Sequence, residues 1–309
     1  MNVRNATLGL LLAGSLALAG PAFSQKSEAP AHAVVTVIPK KDEAPQLQAQ
    51  NLKLTVDGKK TEITGLQPYK GSNAGLELTI LVDDSARRAL GVQLSDLADF
   101  IQSLPPTTAV GVAYMQEGSS YFAQQFTTDH ALAVNALRLP GGARGTNASP
   151  YFCLSDLAKR WPSNNPNARR EVLMITDGVD RYNLRYDPED PYLLAAISDA
   201  QKAGLVVYSI YFRDRGFVDG TGYETNAGQN LLSQVAEATG GHLYWEGMMS
   251  PVSFQPFLKD LSKRLANQYE LGFMAPYKGK PDLVDIRVKA SGFPAKIEVT
   301  QKVPVLPPA

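Results

Sequence analysis

Three polar groups in this chain have types and positions that could do chemistry together. Asp83, Asp84 and Ser85 close an apolar run, Glu77-Leu78-Thr79-Ile80-Leu81-Val82. Asp177, followed by Gly178, closes a second run, Glu171-Val172-Leu173-Met174-Ile175-Thr176. Between them lies a polar loop, Gly141-Gly142-Ala143-Arg144-Gly145-Thr146-Asn147. Such runs fit strands buried on both faces of a parallel sheet. The carboxyl ends of those strands are where open α/β sheets place their ligands. If both strands are central and parallel, the two carboxylate ends and the threonine loop meet on one edge. The same residue types also have a plainer use, capping the next helix or bonding loop backbone.

In order and spacing, these motifs resemble the von Willebrand factor A-type domain. That family marks a metal-ion-dependent adhesion site with Asp-x-Ser-x-Ser after its first strand. A threonine from a following loop and an aspartate after the fourth strand, usually in Thr-Asp-Gly, complete it. Asp83 and Ser85 match the first part, Thr146 the loop threonine, and Asp177 in Thr176-Asp177-Gly178 the last. Arg87 stands where the family has its second serine. The resemblance spans roughly residues 76–265. It implies Mg2+ or Mn2+ held directly by hydroxyls and mostly through water by the aspartates, as a hard cation prefers. One open position would accept a carboxylate from a partner protein, so the site recognises and needs no catalytic base. Arg87 leaves two readings. Its guanidinium lies beside Asp83 and Asp177 in the cation's place, or it extends outward and the metal binds through Asp83, Ser85, Thr146 and Asp177. Asp84 could add a further carboxylate to that site; its plainer reading, shared by Asp180, is a solvated acid.

The elements that must position these groups alternate. After the strand over residues 76–82, Leu90, Leu94, Leu97, Ile101 and Leu104 predict a helix over 87–104, stopped by Pro105-Pro106. Strands follow at 108–115 and 121–126, the second an antiparallel edge, then helices at 130–137 and 149–161. A strand at 172–176, a helix at 191–203 ending at Gly204, a strand at 205–211 and a helix at 231–238 come next. A last parallel strand at 242–245 and a helix at 252–266 complete the series. This alternation predicts a doubly wound, mostly parallel sheet with helices on both faces.

The flanks read differently. Arg4, the apolar stretch 8–18 and Ala22-Phe23-Ser24 form a secretory signal peptide over residues 1–24. The apolar stretch is shorter than the roughly 20 residues a spanning helix needs, so no integral membrane segment is expected after cleavage. Residues 25–46, rich in Ala, Pro, Lys and Glu, read as a flexible linker, although Val34-Val35-Thr36-Val37-Ile38 could pair as a strand. Residues 47–70 read as a β-hairpin lead-in turning at Asp57-Gly58. The motif Val56-Asp57-Gly58-Lys59, then Ile63-Thr64-Gly65-Leu66, resembles extra strands that precede the A-type domain in certain bacterial relatives. The A-type domain is placed at 71–266, a C-terminal β segment at 267–302 and a loose tail at 303–309. The two β flanks are expected to pair as a small β module.

Composition narrows the function. The 309 residues carry 30 Lys and Arg against 30 Asp and Glu, with no clustered basic face for nucleic acid. Cys153 is the single cysteine, so no internal disulfide forms, and its apolar surroundings suit a buried small hydrophobe. His32, His130 and His242 are scattered, and no Gly-x-Ser-x-Gly elbow or phosphate loop occurs. Tyr182, Tyr186 and Tyr223, with Arg87 and Arg144, fall on loops expected to face a partner. The sequence therefore reads as an exported, non-catalytic binding protein, of periplasmic or extracellular location. It recognises a protein or surface polymer at the top loops. The alternatives are an assembly protein working through the β module by strand addition and a metal-dependent hydrolase.

Overall fold

The computed structural model describes residues 28–39, 44–71, 74–86, 88–143, 145–165, 167–213, 222–247 and 249–307. The expected signal peptide, Arg87 and Arg144 lie outside the described residues.

A six-stranded sheet forms the centre. Its strands are β5 (Leu76–Asp83), β6 (Thr108–Gln116), β7 (Ser119–Thr127), β8 (Arg169–Thr176), β9 (Leu205–Tyr211) and β10 (Leu243–Tyr244). Their order is β10-β9-β8-β5-β6-β7, all parallel except β7, which runs antiparallel to β6. Every residue of β5 is buried, because helices cover both faces. Leu78, Ile80 and Val82 point to α1 (Leu94–Ser103), α2 (His130–Asn135) and α6 (Gln255–Ala266). Leu81 points to α3 (Pro150–Lys159), α4 (Pro191–Lys202) and α5 (Tyr223–Thr239). The doubly wound reading thus holds. Residues 88–92 are a 3-10 turn rather than helix, and α1 begins only at Leu94. Gly91 sits in that turn against the Leu139 side chain, where a Cβ would approach within 2.6 Å.

The flanks make two antiparallel sheets around a third core. One has the order β13-β1-β11-β4, built from β1 (Glu28–Ile38), β4 (Ile63–Pro68), β11 (Gln268–Pro276) and β13 (Lys296–Val299). The other, β14-β12-β2-β3, contains β2 (Leu52–Val56), β3 (Lys59–Thr61), β12 (Asp282–Ala290) and β14 (Lys302–Val305). The expected β module therefore forms, and β2 and β3 turn at Asp57-Gly58, both with positive φ as a type I′ turn requires.

Two expectations are corrected. Much of the linker is strand β1, paired with β11 over nine residues. Ala29, Ala31, Ala33, Val35 and Val37 alternate inward, and burying that stripe outweighs the weak strand preference of alanine. Pro30 is tolerated because β13 covers only Val35 to Ile38 of β1. The tail is not wholly loose either. Lys302–Val305 pairs with β12, burying Val303 and Val305, and Pro304 is accepted on this edge strand.

A polar seam joins the module to the central sheet. Gln268 Nε2 donates to Thr36 Oγ1 and Tyr208 Oη, each at 3.2 Å, and Arg169 Nη2 donates to Leu265 O at 3.1 Å. Glu171 is wholly buried here, with Arg169 Nε 3.4 Å from Oε1. Burial pushes its carboxyl up to about 7 from 4.5, against the opposing charge of Arg169. The folded protein thus holds this proton more tightly than the unfolded chain. Its stabilising effect is full below about pH 4.5 and fades as pH rises through 7. The gap corresponds to roughly 3 kcal/mol. Urea unfolding at a series of pH values should show stability falling across that window in the wild type. Glu171→Gln should flatten the fall and exceed the wild type at about pH 8; a wild-type profile that rises there would contradict the assignment.

Candidate functional site

Strands β5 and β8 are adjacent and parallel, in register from Leu76 with Arg169 to Val82 with Ile175. Asp83 and Thr176 therefore finish side by side, where strand order reverses direction about the first strand. Asp83 is 2% exposed. Its Oδ1 accepts from Ser85 N at 2.9 Å and Ser85 Oγ at 2.6 Å. Its Oδ2 accepts from Thr176 Oγ1 at 2.7 Å and Asn147 Nδ2 at 2.8 Å. Burial pushes the Asp83 carboxyl above its ordinary value, while the bonds from Ser85 and Thr176 and the charge of Arg181 act to lower it.

The threonine loop is fastened from three sides. Thr146 O and Asn147 O accept from Glu117 N and Gly118 N, at 2.6 and 3.0 Å. Gly142 N donates to Asp84 O at 2.9 Å, an approach that a side chain would obstruct, since a Cβ would lie 2.8 Å from that oxygen. Asp84 is buried, not solvated as its sequence suggested. Its Oδ1 pairs with Arg138 Nη1 at 2.6 Å and accepts from Gly141 N at 3.0 Å, while Oδ2 accepts from Gln116 Nε2 at 2.5 Å. Burial opposes ionisation, but these bonds and the guanidinium hold the Asp84 carboxyl below its ordinary value. The Arg138 guanidinium in turn lies 3.8 Å above the Tyr114 ring.

Asp177 begins a tightly held turn. Its Oδ1 accepts from Val179 N at 2.9 Å, and its Oδ2 pairs with Arg181 Nη2 at 2.6 Å. Arg181 Nη1 also lies 3.5 Å from Oε2 of Glu224, in the first turn of α5. The Gly178 carbonyl accepts from Tyr151 Oη at 2.7 Å. Helix α5 approaches so closely that a Cβ on Gly228 would lie 2.1 Å from Asp177 O. Asp180, also expected to be solvated, is buried and accepts from Tyr182 N and Asn183 N. Burial raises its carboxyl above the ordinary range.

Of the residues singled out from sequence, Asp83 and Ser85 touch directly, and Asp177 adjoins them through Thr176. Thr146 is on the same edge, but its hydroxyl donates to Ala143 O at 2.5 Å. The positions of Arg87 and Arg144 are outside the described residues. Tyr182, Tyr186 and Tyr223 do share the rim: Tyr223 Oη accepts from Tyr186 N at 2.7 Å, and the Tyr182 ring meets Phe152 at 5.1 Å and Tyr192 at 5.5 Å. Sequence reasoning missed Arg181, Asn147, Arg138 and the hydroxyl of Thr176. Arg181 alone carried a signal, four residues beyond Asp177 in a loop dense with charge. Cys153 is buried as expected, and burial pushes its thiol well above the ordinary value.

This donor set is already committed within the protein. A carboxylate offers about four lone-pair positions, and the four donors on Asp83 fill them. Asp177 already faces a guanidinium. Asn147 Oδ1 is buried without a hydrogen-bond partner among the described residues, but one such oxygen does not make the octahedral shell that magnesium demands. No group of three His, Cys, Asp or Glu among the described residues could hold a metal ion. As arranged, the described residues do not fit a divalent ion.

The sheet order and the placement of Asp83, the threonine loop and Thr176-Asp177-Gly178 on one edge are those of a doubly wound α/β domain with its candidate site at the carboxyl ends of the central strands. No family model matches the chain, and no curated protein matches it. Solved structures with a similar shape include an aerotolerance-related membrane protein from Bacteroides fragilis bearing multiple mutations to serines. It is 14% identical, covering 62% of this chain and 98% of that one, at a TM-score of 0.46. BatB from Bacteroides thetaiotaomicron is 17% identical over the same shares, also at 0.46. The pilus adhesin SpaC from Lactobacillus rhamnosus GG, in its open conformation, is 10% identical, covering 82% of this chain and 47% of that one, at 0.44.

The close approach of α5 gives a direct test. Gly228→Ala should destabilise the protein by about 2 kcal/mol or more, in the range of overpacking substitutions. Thermal melting would show it, and an unchanged midpoint would mean that α5 does not press on the Asp177 turn.

Proposed function

We propose that this chain is an exported, non-catalytic binding protein that recognises a protein partner through the loops at the carboxyl edge of its central sheet. The observation that carries this reading is the contrast at that edge. A closed polar cluster anchors the loops, and large side chains stand exposed beside it. Tyr182 is 64% exposed, Leu184 60% and Tyr223 49%. Tyrosines that present broad, stiff faces with one polar tip are the common currency of protein interfaces. Asp180 and Asp190 brace this rim: Asp190 accepts from Asn183 Nδ2 at 2.5 Å and caps α4 through Tyr192 N and Leu193 N. A surface braced in this way loses little entropy on binding.

The hydroxyls of the cluster support binding over catalysis. Ser85 Oγ donates to a buried carboxylate, and Thr146 Oγ1 to a backbone carbonyl. His32 lies in β1 beside Glu270, His130 bonds Thr108 O, and His242 precedes β10, at the opposite edge from Asp83. The apolar N-terminal stretch supports export, and no helix among the described residues is long and apolar enough to cross a membrane.

Purified protein immobilised through its C-terminus and exposed to an envelope extract of the producing cell tests the reading. Wild type should retain a defined partner, and Tyr182→Ala with Tyr223→Ala should weaken capture at least about tenfold in a protein that still melts cooperatively, as for paired interface anchors. Capture indifferent to both substitutions would move recognition to the β module. Turnover of a generic ester, phosphate or peptide substrate that is lost in Asp177→Ala would make the protein an enzyme.

A further inference from the structure

The geometry points to Arg181 as the fixed cation of this site, standing in for the divalent metal that the fold's signature residues would otherwise hold. The guanidinium is set against Asp177 Oδ2 at 2.6 Å and reaches Glu224 Oε2 at 3.5 Å. Its side chain is only 14% exposed, so this is a built contact rather than a surface pairing. An arginine at this depth is always charged and presents its donors in a planar fork. It therefore supplies positive charge permanently where a metal would supply it only when bound.

Three further features fit that role. Asp83, the innermost carboxylate, is satisfied by Ser85, Thr176 and Asn147 without a metal or its waters. Ser85 and Thr146, the two hydroxyls that would ligate the ion, both donate to protein oxygens instead. Arg181 also joins the Asp177 turn to the start of α5, so the charge serves as a structural tie between two loops of the rim. A metal entering this space would meet a guanidinium already on Asp177 and would have to displace it.

This inference concerns the same edge as the proposed function and rests on that reading only for its consequence, that recognition proceeds without metal. Its test therefore uses no partner. Calorimetric titration of purified, chelator-treated protein with Mn2+ should give no saturable heat at millimolar concentrations, and EDTA should leave the melting temperature unchanged. Arg181→Gln should melt several degrees lower than wild type, while Arg181→Lys, which keeps the charge, should recover part of the loss. Saturable Mn2+ binding by wild type that disappears in Asp177→Ala would overturn the inference. So would an Arg181→Gln protein as stable as wild type. If Arg181→Gln does not fold, the wild-type titration and the Arg181→Lys melt still decide. Failure of partner capture leaves these readouts untouched, and a positive metal titration leaves partner capture to be judged by the tyrosine substitutions.

Discussion

The structure of the site depends on one buried carboxylate. Asp83 ends the central strand at a point closed to water, and a carboxylate there is tolerated only if its oxygens are hydrogen-bonded. Its partners come from four places in the chain: its own turn through Ser85, the threonine loop through Asn147, the neighbouring strand through Thr176, and, at longer range, the charge of Arg181. Each bond satisfies the acid and fixes the segment that donates it. The top of the sheet is held in shape because several loops converge on the same group. Removing that group would leave their donors buried and unpaired, which commonly costs more than a bond contributes.

The remaining acids repeat the pattern one layer out. Asp84 gathers Arg138, Gln116 and the glycine turn, while Asp180 and Asp190 gather the tyrosine loop. At the other end of the sheet a different polar seam, built on Arg169, Glu171 and Gln268, receives the β module. The central body is therefore bounded by polar networks at both edges, with apolar layers between. One network holds the loops at the carboxyl edge and the other attaches a second core.

Much of this was legible in the sequence. Largely apolar runs closed by Asp83 and Asp177 specified the parallel sheet and the side on which its loops meet, because burial on both faces leaves no alternation to misread. Asp57-Gly58 specified its turn through the positive φ that only such residues accept readily. What was not legible had physical reasons. Alternating alanines in β1 carry too little hydrophobicity to announce a strand, and Pro30 and Pro304 discouraged two that form at uncovered edges. The role of Arg181 depends on how a turn folds back on itself, and no periodicity records that. Arg87 stands out in the sequence because it interrupts a recognisable motif, whereas the arginine seated on Asp177 interrupts nothing. Asp84 and Asp180 looked solvated because isolated acids usually are; their partners lie tens of residues away or in backbone amides.

The most direct measurement is a crystal structure grown or soaked in Mn2+, with anomalous diffraction collected for that metal. The account predicts the Arg181 guanidinium on Asp177, Asp83 closed by its four donors, and no anomalous peak within the cluster. A manganese peak coordinated by Ser85 and Thr146, with Arg181 turned away, would contradict it.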